Sequence, residues 1–338
     1  MAFYANVAFA SEMQVHFIDV GQADAALIVC DGHAMLIDGG TADDSSLVYT
    51  YLKNNGVTHL DYIVASHADA DHIGGLSGAL NYATVDYAFC PVTQHDTTTF
   101  SNFVKYLGIQ GKEIIVPKVG SVYGLGEAQV KIIGPATIDG ESNDNSLIIK
   151  ITHGANSFLF TGDAEIAEEE SLLSAGSDVK SDVLKVSHHG SIDAMSDSFL
   201  NAVSPKYAVI SVGKDNQYGH PSNDVINKLE AAGASIYRTD LNGDIICISD
   251  GQSLSFITEK SGGTDSGALC TDANTPSSNS EEDKATKIDY ILNTNTKKFH
   301  YPECNSVQKM KDKNKQEFNG TRDEAIARGY NPCGNCKP

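Results

Sequence analysis

Within the stretch SHADADHIGG, residues 66 to 75, His67, Asp69, Asp71 and His72 fall within six positions and run into a glycine pair. Imidazole and carboxylate together are a common ligand set for transition metals. Held this close on one turn, four such groups repel one another unless a cation lies among them. A solvated turn is the plain alternative, because aspartate and glycine are frequent turn residues. The preceding HLDYIVAS reads as a short apolar strand, and GGLSGALNYA allows a helix to begin soon after. The four side chains would then converge at a strand end, and a metal site is the expectation.

Three further polar clusters follow apolar runs. SFLFTGDAE delivers Asp163, VLKVSHHGS delivers His188 and His189 some 25 residues later, and NQYGHPS places His220 in a turn beside a proline. One such histidine is usually structural, but carboxylate and imidazole arriving repeatedly at strand ends point to one shared site. Two divalent ions in such a site can lower the pKa of a shared water and stabilise charge building on a phosphoryl oxygen, and Asp163 is suited to span both. His220 is the candidate for steadying the transition state or protonating the leaving oxygen, with Asp71 counted beside it as catalytic. The alternative for His220 is a turn residue capping local backbone. Asp19 in FIDVGQAD is expected to orient a ligand histidine, or else to be a strand-end turn residue. His189 and Ser191 are expected to touch the substrate.

The elements that must position these groups are short. Apolar runs of four to seven residues recur between turn signals (MQVHFIDV, AALIVC, HAMLIDGG, VKIIG, SLIIKIT, SFLFTGD, YAVISV, IICIS), with helix-compatible stretches SSLVYTYLKNNG, AEIAEEESLLSAG and SNDVINKLEAAG among them. The last begins after a Pro-Ser pair and ends on glycine, as a capped helix does. An α/β architecture of stacked sheets with helices outside is expected, with no internal repeat.

Residues 13 to 258 resemble the metallo-β-lactamase superfamily, and within it the hydrolase domain of ComEC-type competence proteins. The likeness rests on FIDVGQADAALI, SHADADHIGG, NDNSLIIKI, LFTGDAE, LKVSHHGS and YGHPS, in that order. It implies an αββα sandwich. The superfamily pattern HxHxDH stands here as HxDxDH, with Asp69 in place of the second histidine, as in the ComEC-like branch. By position, the resemblance implies that His67 and Asp69 hold one metal, that Asp71 and His72 hold the other, that Asp163 bridges and that His188 completes the second site. The usual third histidine of the first site has no counterpart; NDNSL occupies that region, with Asn145 the nearest candidate. A carboxylate in place of an imidazole hardens the ligand set, which favours manganese against zinc.

The formal net charge of -20 is uneven along the chain. Residues 1–260 carry 13 Lys and Arg against 33 Asp and Glu, whereas residues 287–338 carry 10 against 6. A basic tail is the sign expected of a region that holds a polyanion, although a solvated lysine-rich face would carry the same charge. Between them, 259–286 are rich in Gly, Ser, Thr, Asp and Asn and are expected to form a flexible linker. Residues 1–12 are small and apolar until Glu12 and resemble the end of a secretory signal, which makes export an expectation, with a frayed terminus the alternative. No apolar run approaches the roughly 18 residues that span a bilayer.

In the tail, His300 and Cys304 are followed, after 28 intervening residues, by Cys333 and Cys336 in a CxxC. This is the ligand number and spacing of a structural zinc site, and a domain of about fifty residues has too small a core to stand easily without such a staple. NTNTKKFHYPEC and GYNPCGNC also resemble the Ada-type zinc-binding modules appended to some nucleases. Two disulfides or a redox CxxC are the alternatives, and either would leave His300 idle. Cys30, Cys90 and Cys247 lie in apolar runs and read as buried thiols, and Cys270 falls in the linker.

The resemblance implies phosphodiester hydrolysis with DNA as substrate, using two active-site ions, manganese or zinc, and one structural zinc. Two alternatives stand beside it. The same site could act on a cell-wall phosphodiester or small nucleotide, which suits the acidic N-terminal part, or the chain could bind nucleic acid without catalysis. Oligomeric state is not legible.

Overall fold

The computed structural model describes residues 11–136, 138, 142–260, 288–302, 304–320, 325, 328–333 and 336. The chain divides into two compact units. Residues 1–10, which include most of the expected signal remnant, and 261–287, nearly all of the expected linker, lie outside the described residues.

The first unit holds β1 (Met13–Phe17), β2 (Ala26–Cys30), β3 (His33–Ile37), β4 (His59–Val64), β5 (Thr84–Phe89), β6 (Ile114–Ile115), β7 (Val122–Leu125), β8 (Ala128–Gly134), β9 (Ile148–His153), β10 (Asn156–Phe160), β11 (Val183–Lys185), β12 (Tyr207–Ile210), β13 (Ser235–Arg238), β14 (Ile245–Ser249) and β15 (Leu254–Thr258). They form an eight-stranded sheet, β15-β14-β1-β2-β3-β4-β5-β6, and a seven-stranded sheet, β13-β12-β11-β10-β9-β8-β7. The inner faces pack on one another through Ile28, Met35 and Val64 of the first and Ile132, Ile149 and Phe158 of the second. Phe17 and Phe160 stack across the gap at 5.8 Å.

Most strands are buried on both faces, which is why they read as unbroken apolar runs. Leu27, Leu36 and Ile63 point away from the sandwich core, where α1 (Ser45–Asn54), α2 (Ala70–Ile73), α3 (Leu76–Tyr82) and α4 (Thr98–Ile109) cover them. On the other side Leu159, Leu184 and Ala208 lie under α5 (Ile166–Ser174), α6 (Asp197–Val203) and α7 (Asn223–Ala231). The result is the four-layer αββα sandwich. The expected cap on α7 is Ser222, whose hydroxyl accepts from the Val225 amide at 3.3 Å.

The glycine pair that follows His72 is steric in origin. A Cβ on Gly75 would lie 1.9 Å from the Gly39 carbonyl oxygen, and one on Gly74 would lie 2.2 Å from the Ala42 amide nitrogen. Only glycine lets this segment pack on the loop after β3, and that packing puts the Gly39 amide 2.7 Å from the His72 carbonyl.

The second unit is a four-stranded sheet in the order β18-β16-β17-β19, made of β16 (Ile288–Asn293), β17 (Lys298–His300), β18 (Lys315–Gly320) and β19 (Asn331–Pro332). Its core is small: Tyr290, Leu292, Phe299, Phe318, Ala325 and Tyr330, with Cys304, Val307, Met310 and Cys333 beside them. Among the described residues no helix is long and apolar enough to cross a membrane.

Candidate metal centre

Strands β3 and β4 run parallel in one sheet, and β10, β11 and β12 run parallel in the other. Their carboxyl ends share one rim of the sandwich, where open α/β sheets place their ligands. Asp38 follows β3, His67 to His72 follow β4, Asp163 follows β10, and His188 and His189 follow β11. Backbone hydrogen bonds tie these loops together, with Leu147 amide to Ser66 carbonyl at 2.7 Å and His188 amide to Gly162 carbonyl at 3.2 Å.

Asp71, His72, Asp163 and His189 bring one ligand atom each to within 4.8 Å of one another. His72 Nε2 is 3.2 Å from Asp163 Oδ1, and His189 Nε2 is 3.4 Å from Asp71 Oδ2 and 3.6 Å from Asp163 Oδ2. The opposite nitrogen of each ring is tethered: His72 Nδ1 to Asp38 Oδ2 at 2.9 Å, His189 Nδ1 to the Ser211 carbonyl at 3.0 Å, and His67 Nδ1 to the Ser66 hydroxyl at 3.1 Å. That pattern fixes each imidazole with Nε2 turned into the site. Among the described residues, His67 Nε2, His72 Nε2, His189 Nε2 and Asp163 Oδ1 are all buried without a hydrogen-bond partner. Buried polar atoms this close that fail to bond one another suit a shared cation.

The charges agree. Asp163 is buried, which works against its ionised form, but His72 and His189 outweigh this and hold it well below the usual carboxylate range. Burial likewise opposes a charged His189, while the Asp163 and Asp24 carboxylates push it up to about 10. The carboxylates thus demand positive charge in the site, and metal ions would supply it in competition with protons on the imidazoles.

The placement corrects several sequence expectations. His188 was to complete the second site and His189 to touch substrate, but His189 is the imidazole that joins Asp71, His72 and Asp163. The backbone decides this: both residues adopt left-handed angles, with φ 48 at His188 and φ 53 at His189, which send adjacent rings different ways. His188 keeps Nε2 3.8 Å from Asp163 Oδ2 and Nδ1 3.4 Å from Glu165 Oε1. Asp19 does not orient a ligand histidine; its carboxylate accepts from the Gly21 amide and from Lys260 at 3.2 Å, while Asp38 holds His72. Ser191 is buried, with its hydroxyl on Asp193 at 3.3 Å.

His67 and Asp69, expected to share an ion, lie with Nε2 and Oδ2 3.8 Å apart. Asn145 ends the turn Asn143–Asn145 that leads into β9. The neighbours of that turn reach the pair: Ser142 donates to Asp69 Oδ1 at 2.7 Å, and the Ser146 hydroxyl is 3.4 Å from His67 Nδ1. His220 lies over the imidazoles, its ring 5.7 Å from His188 and 6.4 Å from His189. Burial and those two histidines lower its pKa, so it is held neutral.

Three further residues support the centre. Asp38 accepts from both the amide and the hydroxyl of Ser66 at 2.7 Å each. Asp24 and Lys185 form a buried ion pair, and Asp24 Oδ1 is 3.4 Å from His189 Nδ1. The strand-like contexts of Asp24 and Lys185 hide them.

In the second unit His300, Cys304, Cys333 and Cys336 likewise bring one atom each to within 4.8 Å of one another. Among the described residues neither ring nitrogen of His300 has a hydrogen-bond partner, and burial with Lys298 lowers its pKa, which favours the neutral ligand form. Three thiols and an imidazole are a zinc donor set.

The metallo-β-lactamase superfamily matches residues 18–214. The chain belongs to that superfamily. It lies in the branch of the competence proteins: it is 30% identical over 254 residues to ComE operon protein 3 of Bacillus subtilis (strain 168), covering 70% of this chain and 33% of that one. It is 32% identical over 237 residues to Competence protein ComA of Neisseria gonorrhoeae, covering 69% and 32%. The chain thus spans about a third of the length of these curated relatives. Among solved structures it is similar to the metallo-β-lactamase fold protein YhfI from Bacillus subtilis, at 14% identity and TM-score 0.45, over 68% of this chain and 96% of that one. The superfamily member described here is a metal-dependent hydrolase.

Proposed function

We propose that this hydrolase is a DNase, a phosphodiesterase whose active site holds two divalent ions and whose second unit, stapled by zinc, helps hold the polyanion. The observation that carries the reading is Asp163, buried between His72 and His189 with those two Nε2 atoms turned toward it and unpartnered. Divalent ions in such a site supply an activated water near neutral pH and Lewis acidity toward a phosphoryl oxygen. Asp163, Asp71, His72 and His189 would hold one ion, with His67 and Asp69 facing a second that Asp163 reaches. Asp69 makes that second set harder, which favours manganese. Neutral His220, set over the imidazoles, is placed to donate a hydrogen bond to the phosphoryl group. Its Nδ1 lies 3.4 Å from Gln22 Nε2. The likeness to a competence protein supports DNA as the substrate, and the +4 charge of 287–338 supports a unit that meets it.

The test is the purified full chain with manganese or zinc, offered plasmid DNA and, separately, a small phosphodiester. Cleavage of both is expected, abolished in Asp163→Ala with the circular dichroism spectrum unchanged. His220→Ala is expected to slow turnover roughly 100-fold, the usual worth of one hydrogen-bond donor to the transition state, with metal content retained. Hydrolysis of the small ester alone would move the assignment to a small-substrate enzyme, and no hydrolysis would leave a binding protein.

A further inference from the structure

We propose that Tyr218 is a stacking platform for a nucleobase beside the scissile phosphodiester. The inference rests on the DNase reading and adds to it the means by which the substrate is gripped.

Tyr218 is 64% exposed. Its ring lies nearly parallel to the His220 ring, 5.7 Å away at 28°, and His220 in turn lies at 21° to His189. The three rings therefore form a rough stack that starts at a metal-facing imidazole and ends at an open aromatic face. The loop that carries the stack is pinned. Asn216 Oδ1 accepts from the Tyr218 and His220 amides at 3.1 Å each, and its Nδ2 donates to the Gly213 carbonyl at 3.0 Å and the His220 carbonyl at 2.6 Å. A platform fixed in advance loses little conformational entropy when a ligand settles on it. A lone exposed tyrosine needs no explanation. One that lies at 28° to the site's own histidine, on a loop pinned by an asparagine bonded twice in each direction, does.

Charge makes the same point from the other side. With 13 Lys and Arg against 33 Asp and Glu in residues 1–260, this unit is poorly suited to grip a phosphate backbone by electrostatics. Base stacking on an aromatic face is indifferent to net charge and tolerant of sequence, because every base has a π-face. The ligand class is thus a nucleobase attached to the phosphodiester, not a bare phosphate ester.

The experiment compares a thymidine oligonucleotide with its abasic counterpart of equal length, both cleaved by the full chain in manganese. The wild type is expected to show a KM about ten-fold lower for the base-bearing strand, the worth of one stacked base. Tyr218→Ala should reduce that preference to under about two-fold with metal content unchanged, and Tyr218→Phe should retain it, since the face and not the hydroxyl does the binding. A preference that survives in Tyr218→Ala, that is lost in Tyr218→Phe, or that is absent from the wild type overturns the inference while leaving the DNase reading intact, because both strands are still cut. Cleavage of neither strand by the wild type would instead sink the DNase reading, and the inference with it.

Discussion

The ammonium of Lys185 lies 2.7 Å from Asp24 Oδ2, with both side chains buried and the two residues 161 positions apart in the chain. Burial would raise the Asp24 carboxyl, but Lys185 foremost and His189 after it hold it far below the usual carboxylate range. Asp24 Oδ1 then lies 3.4 Å from His189 Nδ1, so a fixed anion stands behind the imidazole whose other nitrogen faces Asp71 and Asp163. The pair joins the two sheets: Asp24 precedes β2 and Lys185 ends β11.

Lys185→Met should therefore cost about 3–5 kcal/mol of stability, because it leaves Asp24 charged and unpaired in the interior. Pairing it with Asp24→Asn should restore most of that stability in chemical denaturation. Metal titration of the double variant should still show affinity reduced about 10–100-fold, since the group behind His189 has been lost. Full metal affinity in the double variant would reduce Lys185 and Asp24 to a structural clamp.

His188 and His189 separate by metal content. His189→Ala removes an imidazole from the four-residue group and should cost about one bound ion per chain by elemental analysis. His188→Ala, which removes a ring 3.8 Å from Asp163 and outside that group, should retain it. The reverse outcome would return the ligand role to His188.

Much of this was legible because the fold puts its chemistry at strand ends. An apolar run followed at once by Asp163, or by His67 and its neighbours, shows a rim position without any tertiary information, and α1, α3, α5 and α7 each fall within stretches that read as helical. The order of two adjacent histidines was not legible, since side-chain direction there depends on two left-handed backbone conformations that no local pattern encodes. Asp24 and Lys185 were missed for another reason: each looks like an ordinary residue beside a strand, and only long-range packing makes it a partner, whereas Asp38 follows the run HAMLI as directly as Asp163 follows its own. Glu169 is similar, a charge on an acidic helix that turns inward to accept from the Met195 and Ser196 amides at 2.7 Å each.

Asp244 supplies a pH test away from the centre. Burial foremost, with Glu259 and Asp19 adding to it, pushes its carboxyl up to about 6 from an ordinary 3.8, while it accepts from the Asp19 amide at 2.8 Å. A raised carboxyl favours the folded state while protonated. Its contribution is complete below the unfolded value near 3.8 and is lost as pH rises through about 6. Asp244→Asn keeps an acceptor for the Asp19 amide without the charge. Its melting temperature should match the wild type near pH 4 and exceed it near pH 7.5, by roughly 1–2 kcal/mol in stability. Equal melting temperatures at both pH values would mean that the ionised carboxylate is well solvated there.

The tail carries the remaining prediction. Residues 287–338 bring 10 Lys and Arg against 6 Asp and Glu to a chain whose first 260 residues are strongly acidic. If that unit meets the polyanion, deleting it should leave a small phosphodiester nearly untouched but weaken cleavage of long DNA roughly ten-fold at about 50 mM salt. The deficit should shrink as salt rises, because screening removes the same attraction that the deletion removes. Replacing Cys333 and Cys336 together with serine should mimic the deletion, since a core as small as Tyr290, Leu292, Phe299 and Phe318 is not expected to hold without the metal that His300 and the thiols would bind. Cleavage of long DNA that is equal in all three proteins at low salt would show that the second unit serves attachment to something other than the substrate.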